Sequence, residues 1–338
     1  MKNKYRNIFL AFGIIAVLIM IFTFDMDYQE LWLNLKRAGV YLPLVLLLWL
    51  FVYLINTVSW YIIIRSGGKT GFSFVRLYKF TVTGFALNYV TPVGLMGGEP
   101  YRIMELKPYI GIERATSSVI LYVMMHIFSH FCFWLSSVLL YVCLYPVGWM
   151  MGIILGAITV FCLLIVILFM KGYRQGMAVA FVRMGGRIPF LKKKVFHFAN
   201  AHKEKLENID KQIALLHQQK KQTFYSALLL EYTARVVSCL EIWLILNVLT
   251  THVSFADCCL IAAFSSLLAN LLFFLPMQLG GREGGFALAV GGLSLSLSGA
   301  YGVYAALITR IREMVWIVIG LVLMKVGNFK QSKERYSA

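Results

Sequence analysis

Charged side chains are scarce in this chain, at 14% of 338 residues, while 60% are hydrophobic. A soluble domain of this length has nowhere to hide so much apolar surface, which excludes a soluble fold. Short segments of alternating polarity, the mark of a transmembrane β-barrel, are missing too; the apolar runs are continuous. Six cysteines (Cys132, Cys143, Cys162, Cys239, Cys258, Cys259) lie inside apolar runs with no Cys-x-x-Cys pair among them. That spacing removes zinc and redox-dithiol sites and leaves the thiols as small core hydrophobes. Nor is there a P-loop, a dinucleotide fingerprint, a nucleophile motif or a pair of catalytic carboxylates on a soluble module. Nothing here powers transport by ATP, and no catalytic residue, cofactor or metal is assigned. What remains is an all-α polytopic membrane protein.

The basic residues are unevenly placed. Lys2, Lys4 and Arg6 open the chain without an acid. Residues 171–221 hold twelve Lys and Arg against Glu204, Glu207 and Asp210, a net of +9, and residues 325–338 carry a net of +3. These stretches supply +15 of the overall +17, and the positive-inside rule puts them, with both termini, in the cytoplasm. The bilayer accounts for the basic patches, so no nucleic-acid partner is expected. Within 171–221, Val195, Phe198, His202, Leu206, Ile209, Ile213 and Leu216 recur at helical spacing among lysines. The stripe suits a basic amphipathic helix, either on an anionic leaflet or against the protein's own cytoplasmic face.

A span needs about 20 apolar residues. Stretches 8–24, 41–64, 113–145, 147–170, 222–249 and 300–326 qualify, making about six full spans. Stretch 8–24 runs into Thr23-Phe24-Asp25-Met26-Asp27, which offers no cleavage pattern, and reads as an uncleaved first span. Two further stretches, 74–112 and 254–297, have the length of two partial crossings each and are broken by proline and glycine. Parity then makes 74–112 a re-entrant hairpin from the inside and 254–297 one from the outside. The chain reads as a single membrane domain over 1–338, with inverted repeats at 41–145 and 222–326 flanking the basic segment 171–221.

Both breaks carry the same pattern. Asn88-Tyr-Val-Thr-Pro92-Val-Gly94-Leu-Met-Gly97-Gly98-Glu99 is matched by Asn270-Leu-Leu-Phe-Phe-Leu-Pro276-Met-Gln-Leu-Gly280-Gly281-Arg282-Glu283, with the prolines and the glutamates each 184 residues apart. Each glutamate stands seven positions after its proline. An ionisable group inside a membrane segment is costly and faces a cavity, a partner or a substrate. Arg102 follows Glu99 by one turn, and Arg310, Arg312 and Glu313 on the last span belong near the second hairpin. Two readings stay open: mutual ion pairs that lock the hairpins, or a headgroup cradle with Arg on phosphate and Glu on an amine. Asn88 and Asn270 are placed to cap freed backbone groups, and the glycines permit tight turns and exposed N–H groups. Glu231 and Arg235, four apart, predict a local ion pair. His126 and His130 share a helical face, and packing is preferred for them over a metal.

At these motifs the chain resembles the lysylphosphatidylglycerol synthetase transmembrane region, or flippase-like, family. Its Pro-x-Gly-x-x-Gly-Gly-Glu signature with a following arginine is similar to Pro92 through Arg102, and its Leu-Pro-x-x-Gly-Gly-x-Glu-like signature to Leu275 through Glu283. An arginine on the ensuing helix corresponds to Arg310. The resemblance implies around eight membrane segments with two re-entrant hairpins, in the cell inner membrane. It implies translocation of an anionic or modified lipid, whether aminoacylated, glycosylated or polyprenyl-linked. Some members carry a fused aminoacyl-transferase domain; this chain ends at Ala338, and synthesis of the lipid is not expected of it. Where many members have an acidic–Arg pair, this chain has Tyr122-Val123-Met124. On this reading the substrate site comprises Glu99, Arg102, Arg282, Glu283 and Arg310. Asn88, Pro92, Gly97, Gly98, Asn270, Pro276, Gly280 and Gly281 support it. The partners are membrane lipids, and a homo-oligomer is compatible with the sequence. The other functional classes left open are an intramembrane lipid-modifying enzyme and a non-transporting assembly or regulatory partner.

Overall fold

A computed structural model describes residues 36, 39, 41–90, 97–175, 221–249, 253–271, 281–293 and 299–326. Stretch 8–24, the stripe at 195–216, and Pro92, Gly94, Pro276 and Gly280 lie outside the described residues. Among those described, every regular element is helical: α1 (Tyr41–Ser66), α2 (Phe74–Val90), α3 (Gly98–Ile110), α4 (Ile112–Leu144), α5 (Trp149–Gln175), α6 (Lys221–Leu249), α7 (Phe255–Leu271), α8 (Gly281–Gly292) and α9 (Gly299–Val326). This is the all-α membrane architecture that the sequence predicts. Tyr41–Ser66, Ile112–Leu144 and Trp149–Met170 are long and apolar enough to cross a bilayer by composition alone. α6 and α9 have the length, 29 and 28 residues, but carry charge along it.

Stretches 74–112 and 254–297, expected as hairpins, each hold two short helices. α2 and α3 have 17 and 13 residues, α7 and α8 have 17 and 12. At 1.5 Å per residue these run to about 18–26 Å, short of a bilayer core of about 30 Å. α2 ends at Val90 and α3 begins at Gly98, and α7 ends at Leu271 and α8 begins at Gly281, on either side of the Pro/Gly motifs.

The helix ends are set by identifiable groups. α1 stops at Gly67 and Gly68, the latter at φ 122°, a conformation that favours glycine. Arg114 then donates to the carbonyls of Ile64 (2.8 Å), Gly68 (2.6 Å) and Lys69 (3.1 Å), covering groups that a helix end leaves bare. α7 opens with a capping box: Asp257 N–H donates to Ser254 Oγ at 3.1 Å, and Ser254 N–H returns to Asp257 Oδ2 at 3.3 Å. Pro108 lies in the last turn of α3, and Gly111 (φ 80°) alone separates α3 from α4.

The chain forms two compact units. The first takes residues 1–54, 74–102 and 234–338, and the second takes 55–73 and 103–233. In the first, helices approach closely where side chains are small. A Cβ on Gly302 of α9 would overlap the backbone of Phe286 and Ala287 on α8, and one on Gly320 would meet Ala86 and Thr83 of α2. At Gly285 of α8 the neighbour is Ser265 of α7, 3.3 Å from a Cβ. Without a hydrophobic force between helices in lipid, such close contact supplies the attraction. Thr83 Oγ1 adds a bond to the Gly320 carbonyl at 3.1 Å, and Leu87, Val90, Tyr101, Ile317, Leu321 and Met324 form a buried apolar cluster.

The second unit joins α1, α4 and α6 by polar as well as apolar contacts. Ser59 Oγ donates to the Ala227 carbonyl at 3.2 Å, Tyr232 Oη donates to Ser136 Oγ at 2.9 Å, and Trp60 stacks on Tyr122. α5 presents Trp149, Met150, Ile153, Ile167 and Leu168 outward, as a lipid-facing helix does.

Candidate functional site: an arginine–glutamate network at two helix breaks

Glu99 and Glu283 stand in the first turns of α3 and α8. Those turns have free N–H groups and the positive end of the helix dipole, so an acid is favoured in both places. The site forms in the first unit, where the breaks, α9 and part of α6 all belong.

At the first break, Asn88 from α2 bridges the interruption. Its Oδ1 accepts the Gly98 N–H at 2.7 Å and its Nδ2 donates to Glu99 Oε1 at 2.9 Å. Asn88 therefore caps α3 and fixes its acid at once. Glu99 Oε1 also receives Arg102 Nη1 at 3.4 Å, whereas Oε2 is buried with no hydrogen-bond partner among the described residues. Arg102 is 1% exposed. Its Nη2 donates to the Thr81 carbonyl at 3.3 Å, and its guanidinium lies over the Phe85 ring at 4.8 Å. A side chain at Gly84 would overlap that guanidinium, and one at Gly98 would overlap the Gly84 carbonyl and Asn88. The two glycines let α2 and α3 meet, and the buried arginine occupies the space that results. Gly97, in the turn before α3, is buried.

At the second break the adjacent residues Arg282 and Glu283 point apart. Arg282 pairs with Glu313 of α9, and Glu283 Oε1 accepts Arg310 Nε at 3.1 Å. Arg310 Nη1 reaches Glu313 Oε2 at 3.5 Å. Arg312 Nη2 is 3.7 Å from Glu313 Oε1, and Arg312 forks onto Glu241 of α6 at 3.0 and 3.2 Å. Glu241 also accepts Trp49 Nε1 at 2.8 Å, and the Arg312 guanidinium lies 3.7 Å from the centre of the Trp49 ring. Arg312 is buried, and its Nη1 lacks a hydrogen-bond partner among the described residues. Tyr89, which follows Asn88 on α2, lies beside Arg282, Arg312 and Glu313. Asn270 takes a different role from Asn88: it is exposed and donates to the Ser266 carbonyl of its own helix at 2.7 Å. Gly281 is the first residue of α8.

The set thus comprises a pair at the first break, Arg102 with Glu99, and a cluster at the second of three arginines (282, 310, 312) and three glutamates (241, 283, 313), each balanced in charge. Exposure divides it. Glu99, Arg282 and Glu283 keep 17–23% of their side chains accessible, while Arg102, Arg310, Arg312, Glu241 and Glu313 keep 5% or less. The accessible members stand at the breaks and the buried ones behind them. All five substrate residues expected from the sequence lie in this set, paired with one another or with α9. Arg312 and Glu313, expected near the second hairpin as charges within a span, belong to the set as well, and Glu241 of α6 joins it through Arg312. Trp49 and Tyr89 gave no signal, being ordinary aromatic residues of apolar helices.

One expectation is corrected. Glu231 and Arg235 do not pair: Glu231 Oε2 bonds His126 Nδ1 at 2.8 Å and Asn56 Nδ2 at 3.4 Å, and Oε1 bonds nothing described. Helical spacing makes a pair available, but neighbours from α1 and α4 claim the carboxylate first.

The sequence profile of the family described as Lysylphosphatidylglycerol synthase TM region matches residues 8–321, and the chain belongs to that family. No curated protein and no solved structure matches the chain.

Proposed function

We propose that this member of the family moves a phospholipid between membrane leaflets, seating the headgroup at the two helix breaks. The observation that carries the reading is the balanced network with its accessible members at the breaks. A lone anion would have to displace a carboxylate and leave it buried, which is costly. A headgroup with both a phosphate and an amine can exchange pairs instead, phosphate against Arg282 or Arg310 and amine against Glu283 or Glu99. The planar guanidinium fork suits phosphate, binding two oxygens at once. An aminoacylated lipid fits this pattern best, and the family description, which concerns a lipid synthase's membrane region, supports a lipid substrate.

On this reading the protein is a transporter and no enzyme. It works in the cell inner membrane with both termini cytoplasmic and with lipids as its partners. Its hairpins act as two halves of an inverted repeat, where half-helix ends meet the substrate. Reconstitution into liposomes with fluorescent lipids tests it. Acceleration of flipping over empty vesicles is expected, falling at least tenfold in Glu99→Gln and Glu283→Gln proteins that remain folded. Wild-type rates in both single variants and the double variant would remove the site. Mass spectrometry of the incubated lipids separates movement from modification: a new lipid species would make the protein an enzyme.

A further inference from the structure

One buried carboxylate lies outside the arginine set. Glu231 of α6, in the second unit, has a side chain with 0% exposure. Its surroundings can be named element by element. From α1, Asn56 donates to its Oε2, and Ser59 bonds the Ala227 carbonyl one turn earlier; neither is charged. From α4, His126 places Nδ1 2.8 Å from the same oxygen. Tyr122 and His130 flank His126 one turn to either side, with ring centroids 6.4 and 5.6 Å away. On α6 itself Arg235 stands one turn further along, and both bonds to Oε2 come from α1 and α4.

All bonding therefore falls on Oε2, while Oε1 is buried without a hydrogen-bond partner among the described residues. A carboxylate satisfied on one side and bonded by no arginine or lysine is costly as a bare anion. One proton relieves it in either of two places. On Oε1 it makes the acid neutral; on the His126 ring it makes an imidazolium against the carboxylate. His126 keeps 25% of its side chain accessible whereas Glu231 is sealed, so a proton that reaches the pair does so through the imidazole. A metal ion suits the place poorly: among the described residues no group of three His, Cys, Asp or Glu comes together to hold one.

We propose that the Glu231–His126 pair is a proton-binding site that loads and unloads one proton during the working cycle. α6 carries Glu231 and, ten residues on, Glu241 of the arginine network, so one helix links the proton to the headgroup residues. This coupling rests on the translocation reading above; the proton site itself does not.

The test uses the full chain in lipid nanodiscs, with protons as the only ligand. Infrared difference spectra follow a protonated carboxyl C=O band, and nitrogen-15 NMR follows the His126 ring, both against pH. The wild-type protein should show the two signals changing over one common pH range. Glu231→Gln should abolish the carboxyl band and move the His126 midpoint by about one pH unit or more. If that variant does not fold, His126→Gln decides alone, by moving the range of the Glu231 band. A His126 midpoint unmoved by Glu231→Gln, or a Glu231 band unmoved by His126→Gln, overturns the proposal.

In liposomes, an imposed pH gradient should accelerate lipid movement by wild-type protein, and Glu231→Gln should lose that acceleration. Wild-type movement indifferent to the gradient overturns the coupling. Absence of lipid movement with the paired titration intact sinks the translocation reading and supports the proton site on its own.

Discussion

Replacing Glu241 with glutamine probes the inner part of the arginine network. Three donors converge on this carboxylate: Arg312 Nε, Arg312 Nη2 and Trp49 Nε1. Glutamine keeps the shape but offers one acceptor oxygen, and its NH2 group must face one of those donors. Arg312 also keeps its charge in a site that is 1% exposed. Removing one partner of a buried ion pair costs about 3–5 kcal/mol. A retained hydrogen bond returns about 1 kcal/mol, so Glu241→Gln should lose about 2–4 kcal/mol of stability.

Glu283→Gln differs in the respect that matters. The Glu283 side chain is 23% exposed against 5% for Glu241, while Arg310 and Arg312 each keep Glu313 as a second partner. Its pair belongs with accessible ones, worth about 0–1 kcal/mol. Reversible unfolding in mixed detergent–SDS micelles measures both variants against wild type. Glu241→Gln should be clearly the weaker, and Glu241→Gln combined with Arg312→Met should recover most of the loss by removing the stranded charge. Equal stability of the two single variants would refute the division into a buried anchor and an accessible site.

Asn88→Ala removes the cap on Gly98 and the bond to Glu99, and should lower stability by about 1–2 kcal/mol in the same unfolding assay. Gly98→Ala should be more damaging, because its Cβ would overlap the Gly84 carbonyl and Asn88; overpacking of this kind costs about 1–3 kcal/mol, read as a lower thermal midpoint by size-exclusion chromatography. Cysteine labelling in a Cys-free background should find residues 185–215 and 330–338 accessible from the cytoplasm and 26–38 from outside; residues 26–38 and 185–215 on one side would refute the topology.

The helices were legible because long apolar runs and Pro/Gly breaks are local signals. Phe74–Val90 and Gly98–Ile110 part where Pro92 and the Gly97-Gly98 pair predict it, and Phe255–Leu271 and Gly281–Gly292 part around Pro276. Pairing was legible only in part. Adjacent residues on a helix point about 100° apart, so Arg282 and Glu283 each needed a partner on another element, and the sequence named the helix without matching the pairs. The spacing of Glu231 and Arg235 pointed to the wrong bond because a tertiary neighbour, His126, outcompetes a helical one. The likeness of the two asparagines does not extend to their structure, since Asn88 spans its break while Asn270 turns back onto its own helix. Trp49 is invisible for a simpler reason: its indole bonds a residue 192 positions away.

The slot at Gly84 imposes an order on sequence change. Arg102 fills the volume that a side chain at position 84 would need, so a mutation there displaces the guanidinium from Glu99 and leaves Asn88 to hold that carboxylate. The reverse path is open, because shortening residue 102 first empties the slot and a side chain at 84 can then fill it. Drift across this crossing is therefore one-way: the arginine has to be surrendered before the glycine can grow, and a lineage that keeps the arginine keeps the glycine with it.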